Sequence, residues 1–172
     1  MKDKEIRKIL VAYLQATNQE MRIYQEKSIG SSICDVMVVT DRLIGYEIKS
    51  DSDNLLRLDN QIKAYNLFFD KNYIVVSERF SFSVRDVVPE TWGIIRIQND
   101  SVVIEREAEN NKEVSRYNQL SILWKIELKN LLIKNQLPLC AQKDKGYIKN
   151  YLFKNVDALE LGQQIAEELL NR

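Results

Sequence analysis

Three charged residues near the middle of the chain have the types and spacing of a metal-assisted phosphoryl site. Asp35 lies in an apolar stretch, and Glu47 and Lys49 follow twelve residues later. Side chains alternate between the two faces of a strand, so Glu47 and Lys49 project together. Two carboxylates and the main-chain oxygen of Ile48 form an all-oxygen ligand set that suits Mg²⁺ or Mn²⁺. Such an ion would polarise a phosphoryl oxygen and activate a bound water, and Lys49 could orient or deprotonate that water or neutralise charge on phosphorus.

Whether Asp35 and Glu47 meet depends on the turn between their strands. Residues 33–40 and 43–49 are rich in β-branched and apolar side chains, which predicts a β-hairpin. A three-residue turn centred on Asp41 sets Asp35 opposite Glu47. A two-residue turn instead pairs Asp35 with Ile48 and sends the two acids to opposite faces. A metal site therefore requires the longer turn or a bulge.

A helix after the hairpin supplies further candidate residues. Apolar residues recur at helical spacing over residues 54–69, and Asp51 or Asp53 is a candidate N-cap. Three polar residues at every fourth position share one side of this helix: Arg57, Gln61 and Tyr65. That side can face the acids of the hairpin, where an arginine and a glutamine could contact a phosphate or a metal-bound water.

The same residues also fit a structural explanation. An acid that faces Glu-x-Lys on a neighbouring strand is a common surface ion-pair arrangement, Gln61 is an ordinary solvated helix residue, and Tyr65 is an ordinary core aromatic. The apolar neighbours Ile33, Met37 and Val39 favour partial burial of the acids, which would then need a cation. The chain has no histidine, which excludes histidine-metal nucleases and Ser-His-Asp hydrolases.

These motifs resemble the PD-(D/E)xK nuclease superfamily. The resemblance is carried by Asp35, by Glu47-Ile48-Lys49 and by Gln61-Ile62-Lys63-Ala64-Tyr65, which is similar to the Gln-x-x-x-Tyr element of the RecB-like branch. Residues 45–51, followed by Arg57-Leu58 and Gln61, are also similar to small stand-alone bacterial members. Cys34 stands where the motif has proline. The resemblance implies an α/β fold, with a restriction-endonuclease-like αβββαβ core around a mixed central sheet and a small C-terminal helical unit.

The resemblance also implies a role for each residue. The implied catalytic set is Asp35, Glu47, Lys49, Gln61 and Tyr65. The metal would be held by Asp35, Glu47 and the carbonyl of Ile48. Glu26 stands where members often carry a further acid and would complete the ligands, with Glu20 as a competing candidate.

The expected function is a Mg²⁺- or Mn²⁺-dependent deoxyribonuclease that hydrolyses phosphodiester bonds in DNA repair, recombination or defence. A non-catalytic nucleic-acid-binding protein on the same scaffold is the alternative, and an interaction domain with structural acids is a third possibility. DNA is the expected partner, although RNA stays open. A homodimer also stays open, because dimers are common where two strands must be cut.

The C-terminal part has a different composition. Residues 105–113 are polar and acid-rich, which predicts a boundary between a nuclease-like core over residues 1–108 and a helical unit over residues 109–172. Helices are predicted over residues 115–134, 143–152 and 158–171.

A basic patch lies within this unit. Seven lysines and two acidic residues between Lys125 and Lys154 give a local net charge of +5. The segment resembles a SAP-like helix-extension-helix, in which Lys143, Lys145 and Lys149 would contact DNA phosphates, as Arg57 would in the core. Alternatively, the lysines are the solvated surface of a helical cap, and the neighbouring aromatic residues pack between helices.

The global composition indicates a folded cytoplasmic protein. The 172 residues are 45% hydrophobic, enough for one good core. No apolar run approaches the ~20 residues of a membrane span, and no signal peptide is recognisable at the N-terminus. Cys34 and Cys140 are too few for a disulfide framework. Because the formal net charge is zero, attraction to DNA must rest on local patches.

Overall fold

The computed structural model describes residues 1–18, 20–80, 83–139 and 142–172, so Cys140 lies outside the described residues. In chain order the elements are α1 (Asp3–Thr17), β1 (Arg22–Ile29), β2 (Ser32–Val39), β3 (Leu43–Lys49), α2 (Leu58–Phe68), β4 (Lys71–Ser77), a 3₁₀ turn (Glu78–Phe80), β5 (Gly93–Gln98), β6 (Ser101–Arg106), α3 (Arg116–Leu120), α4 (Lys125–Lys134), α5 (Lys145–Asn155) and α6 (Ala158–Leu170). None of the helices in the described part is long and apolar enough to cross a membrane.

Six strands form one mixed sheet, and their spatial order follows the chain from β1 to β6. The strands β1, β2 and β3 are antiparallel neighbours. The strands β3, β4 and β5 are parallel, and β6 returns antiparallel to β5. The parallel pair β3–β4 requires a crossover, which α2 provides. The predicted mixed α/β fold class is confirmed at this level.

Helices cover both faces of the sheet. On one face, α1 buries Ile6 and Leu10 against Tyr46 and Ile48 of β3. On the other face, α2 and the C-terminal helices pack over β2, β3 and β4. Because β3 and β4 are buried on both sides, they are nearly continuous runs of apolar residues rather than alternating ones.

The C-terminal helices share the hydrophobic core of the sheet. Gln119 of α3 donates to the carbonyl of Phe68 at 2.8 Å, and Arg116 pairs with Asp70 at 2.6 Å. The predicted single helix over residues 115–134 is wrong, because Trp124 starts a new helix where the Glu127 carboxylate accepts its N–H. The division of the chain at residue 108 stays a prediction.

The central helix begins later than predicted. Asp53 accepts hydrogen bonds from the backbone N–H and the hydroxyl of Ser50 at 2.8 and 2.6 Å, so it closes the turn after β3. The helix starts at Leu58 with Arg57 as its N-cap, and neither Asp51 nor Asp53 takes that position. Arg57 makes no side-chain cap hydrogen bond, and the carbonyl of Leu55 accepts the N–H of Leu58 at 3.0 Å. The next two N–H groups of α2, of Asp59 and Asn60, are left for other acceptors.

Candidate functional site

A buried charged network joins β3 to α2. Lys49 Nζ donates to Glu47 Oε1 at 2.9 Å and to Gln61 Oε1 at 2.7 Å. Gln61 Nε2 in turn donates to Glu47 Oε1. Glu47 is 1% exposed and Lys49 is 5% exposed. The alternation of side chains along β3 puts both on one side of the strand, and Gln61 reaches them from the first turns of the helix.

One oxygen of this network is left over. Glu47 Oε2 is buried and has no hydrogen-bond partner among the described residues. A buried polar atom without a partner costs free energy. A donor group or a cation that entered the site could therefore bind to this oxygen.

Asp35 takes its partners from the backbone and from α1. Its Oδ2 accepts the N–H of Ile48 at 2.8 Å, and its Oδ1 accepts from Arg7 at 3.3 Å. Burial, followed by the nearby Glu47 carboxylate, raises the pKa of Asp35 to about 7. These effects outweigh the Ile48 N–H and the Arg7 guanidinium, which favour the ionised form.

Of the two turns that the sequence left open, the three-residue turn gives the register found as far as the pair Val36–Tyr46, since the residue numbers of each pair in β2 and β3 sum to 82. Beyond that pair, the hydroxyl of Tyr65 lies between the strands. It accepts the N–H of Asp35 and donates to the carbonyl of Tyr46, each at 3.2 Å. Asp35 thus reaches toward α1, while Glu47 reaches toward α2.

Arg7 is a site residue that the sequence analysis missed. Besides Asp35, its guanidinium pairs with Asp3 at 3.0 Å and with Glu26 at 3.1 Å. An arginine on the polar side of an amphipathic helix carries no sequence signal for such contacts. The Glu26 side chain is 73% exposed, and its backbone has a φ of 52°. Glu20 is exposed and precedes β1.

An open cleft of about 680 Å³ adjoins Asp35. It lies between the β1–β2 hairpin and the start of α2, and its lining is Glu26, Ser31, Ser32, Ile33, Asp35, Arg57, Asn60 and Gln61. Arg57 brings a positive charge to this cleft at the uncapped N-terminus of α2. The cleft can therefore offer hydroxyl, amide and guanidinium donors to one ligand.

The geometry does not assemble a ready cation cage. Among the described residues there is no group of three or more His, Cys, Asp or Glu side chains that could hold a metal ion. All three predicted acidic ligands already have a cationic partner, which is Arg7 for Asp35 and Glu26 and Lys49 for Glu47.

The three lysines predicted to bind DNA do not act as a group. Lys145 Nζ donates to the carbonyl of Ser121 at 2.8 Å, and Lys149 Nζ donates to the hydroxyl of Ser121 at 2.5 Å. Desolvation lowers the pKa of both lysines. Lys143 is exposed and lies 5.0 Å from the ring centroid of Tyr147. Of the three lysines, only Lys143 lies on the surface, where it contacts the ring of Tyr147.

Comparison with known proteins gives the family. The family described as bacteriophage P4 protein cII matches residues 1–172. The chain belongs to the bacteriophage P4 protein cII family. Protein cII of Enterobacteria phage P4 is 31% identical over 140 residues, which are 77% of this chain and 53% of that protein. The chain therefore spans about half the length of this curated relative of the family.

A solved structure supports the fold. The SPO1766 protein of unknown function from Silicibacter pomeroyi is similar with a TM-score of 0.52 and 18% sequence identity, over 69% of this chain and 79% of that one. At this identity the likeness concerns the fold alone.

The family match overturns the nuclease prediction. Membership of the PD-(D/E)xK superfamily is wrong, and the predicted metal-dependent deoxyribonuclease activity is wrong with it. The physical reason is that a structural ion network is built from the same residue types as a catalytic site. Lys49 is bound by Glu47 and Gln61, and Asp35 is bound by Arg7, so the motif forms structural contacts.

Removing the cation from the network tests its importance for stability. Lys49→Met leaves the Glu47 carboxylate buried without a counter-charge, and we expect a loss of ~3–5 kcal/mol in the free energy of unfolding. The double variant Glu47→Gln/Lys49→Met removes both charges and should recover most of that loss. Urea denaturation at neutral pH measures both. Equal losses in the single and double variants would show that the pairing contributes little.

The raised pKa of Asp35 predicts a pH dependence. The ordinary value is 3.8 and the folded value is about 7, so between these pH values the folded chain keeps a proton that the unfolded chain has released. Stability should therefore fall as the pH rises from about 4 to about 7. Asp35→Asn removes this contribution, and at pH 8 it should be more stable than the wild type by up to ~4 kcal/mol. Denaturation curves between pH 4 and 8 decide, and a parallel fall in both proteins would refute the assignment.

Proposed function

We propose that the chain is a nucleic-acid-binding protein that binds without turnover through the cleft beside Asp35. The observation that carries this proposal is the open cleft of about 680 Å³ at the uncapped start of α2, with Arg57 in its wall. The order α1-β1-β2-β3-α2-β4 supports a restriction-endonuclease-like αβββαβ scaffold. We propose that likeness for the scaffold only.

The start of α2 suits a phosphate. The partial positive charge and free N–H groups at a helix N-terminus attract anions, and Arg57 would add a guanidinium that pairs with phosphate oxygens. Asn60 and Gln61 line the same cleft, as do Ser31 and Ser32 of the hairpin. Such neutral donors position a backbone without reading its sequence.

The acids of the cleft oppose a phosphate unless they are neutralised. Arg7 offsets Asp35 and Glu26 in part. We propose that Mg²⁺ or Mn²⁺ supplies the rest, held by Asp35 at the wall of the cleft. Glu47, whose side chain bonds to Gln61 of α2, stays a predicted ligand. An all-oxygen site of this kind suits these hard cations, and a bound ion would link the acids to a phosphate oxygen. The carbonyl of Ile48 and the side chain of Glu26 stay predicted as further ligands.

DNA is the proposed partner, and the homodimer stays a prediction. The formal net charge of the chain is zero, so affinity should come from a few local contacts rather than from the whole molecule. We therefore expect a shallow dependence of binding on salt concentration.

Two matched substitutions on α2 test the cleft. Arg57→Gln removes the proposed phosphate contact, and we expect a roughly tenfold weaker affinity for a labelled DNA oligonucleotide and a salt slope smaller by about 1. Lys63→Gln removes the same charge from an exposed position of the same helix that does not line the cleft. This control should bind as the wild type does. Fluorescence anisotropy across a salt titration measures both.

The same titration separates the possible failures. If the wild type binds no DNA at low salt, or if both variants lose affinity equally, the cleft is not the binding site. The cation is tested by repeating the wild-type and Asp35→Asn titrations in Mg²⁺ and in EDTA. Mg²⁺ should strengthen only wild-type binding, and an equal response of the two proteins would remove the cation from the proposal.

A further inference from the structure

The outward side of α5 carries two aromatic rings in parallel planes, of which one is exposed and the other is half-buried. Tyr147 and Tyr151 are one helical turn apart, with ring centroids separated by 6.2 Å and planes within 7°. Tyr147 is 44% exposed and Tyr151 is half-buried against the core, whereas Ile148 and Leu152 are fully buried. The packing of α5 therefore buries one side of the helix and leaves Tyr147 to solvent, with Tyr151 at the border between the two.

Positive charge borders these rings. The helix sequence from Lys145 to Asn155 contains three lysines and no acidic residue. The exposed Lys154 follows Tyr151 by three residues, on the same side of the helix. At the other end, Lys143 Nζ lies 5.0 Å from the ring centroid of Tyr147. The nearby acid, Asp144, is engaged as the N-cap of the helix.

We propose that this face binds single-stranded nucleic acid by stacking unpaired bases on its tyrosines and pairing phosphates with its lysines. The face is made of Lys143, Tyr147, Asn150, Tyr151 and Lys154. This inference rests on the proposed function and names its substrate class. Stacking of a base on an aromatic ring strengthens binding with little sequence preference. Bases in a duplex already stack on each other and cannot use the site.

The arrangement of the lysines determines which of them face the ligand. Lys145 and Lys149 are both hydrogen-bonded to Ser121, so their charges are directed into the helical packing. The phosphate contacts fall to Lys143 and Lys154, at the two ends of the tyrosine pair. A strand that runs along α5 would meet a charge, two rings and a second charge in turn.

The test removes the rings and keeps their apolar bulk. The double variant Tyr147→Leu/Tyr151→Leu is compared with Phe153→Leu, which changes an aromatic residue that is similarly exposed (45%) but packs edge-on against Tyr117. The probes are a fluorescent thymidine oligonucleotide of ~15 nucleotides, an abasic strand of the same length and a duplex. Circular dichroism confirms that each variant is folded.

We expect the double variant to bind the thymidine strand at least ~10-fold more weakly, and the wild type to bind the abasic strand with a similar loss. Duplex affinity should not change, and Phe153→Leu should bind as the wild type does. If the folded double variant keeps its affinity for the single strand, the inference is overturned while the cleft proposal stands. If no probe binds, both fall. If polyglutamate competes as well as the thymidine strand does, the face is a site for acidic polymers and the inference is also overturned.

Discussion

The burial of Lys49 with Glu47 between β3 and α2 is the constraint on which the rest of the site depends. Two buried charges must stay paired with each other and with their hydrogen-bond partners. A buried charge without its partner would destabilise the fold by several kcal/mol. Gln61 bonds to both charges, so α2 is held at one position along β3. That position brings the uncapped start of the helix to the wall of the cleft. The network therefore sets where an anion can be received, and its member Gln61 also lines the cleft.

A second anchor acts from the opposite side of the sheet. Arg7 of α1 and the N–H of Ile48 hold Asp35, and the hydroxyl of Tyr65 joins the backbones of β2 and β3 beside it. The two acids of these neighbouring strands thus bond to different helices. Asp35 bonds to Arg7 of α1, and Glu47 bonds to Gln61 of α2. Burial, followed by the electrostatic interaction between the two acids, raises the pKa of Asp35 and so links the charge state of the cleft to the packing of both helices. A ligand that compensates Asp35 would also relieve this unfavourable pairing of charges.

The sequence predicted the parts that follow from local pattern. The hairpin of β2 and β3 and the bounds of β3 depend on alternation and on runs of apolar residues, which are visible along the chain. The sequence places the start of α2 too early, because Asp53 accepts a hydrogen bond from Ser50 instead of capping the helix. The role of Arg7 was missed because its partner Asp35 is 28 residues away in the chain. The nuclease prediction failed for a related reason, since residue types and spacing do not distinguish a metal ligand from one half of an ion pair.

The family match overturns the predicted catalytic centre. The fold then offers an open cleft beside a buried ion network. The most direct test of its proposed use is a titration of the ¹⁵N-labelled chain with a DNA oligonucleotide, followed by the backbone amide signals. Binding at the cleft predicts saturable shifts for Asp59, Asn60 and Gln61 in the first turns of α2, with little change in the β5–β6 hairpin. Binding that leaves these three amides unshifted would contradict the account.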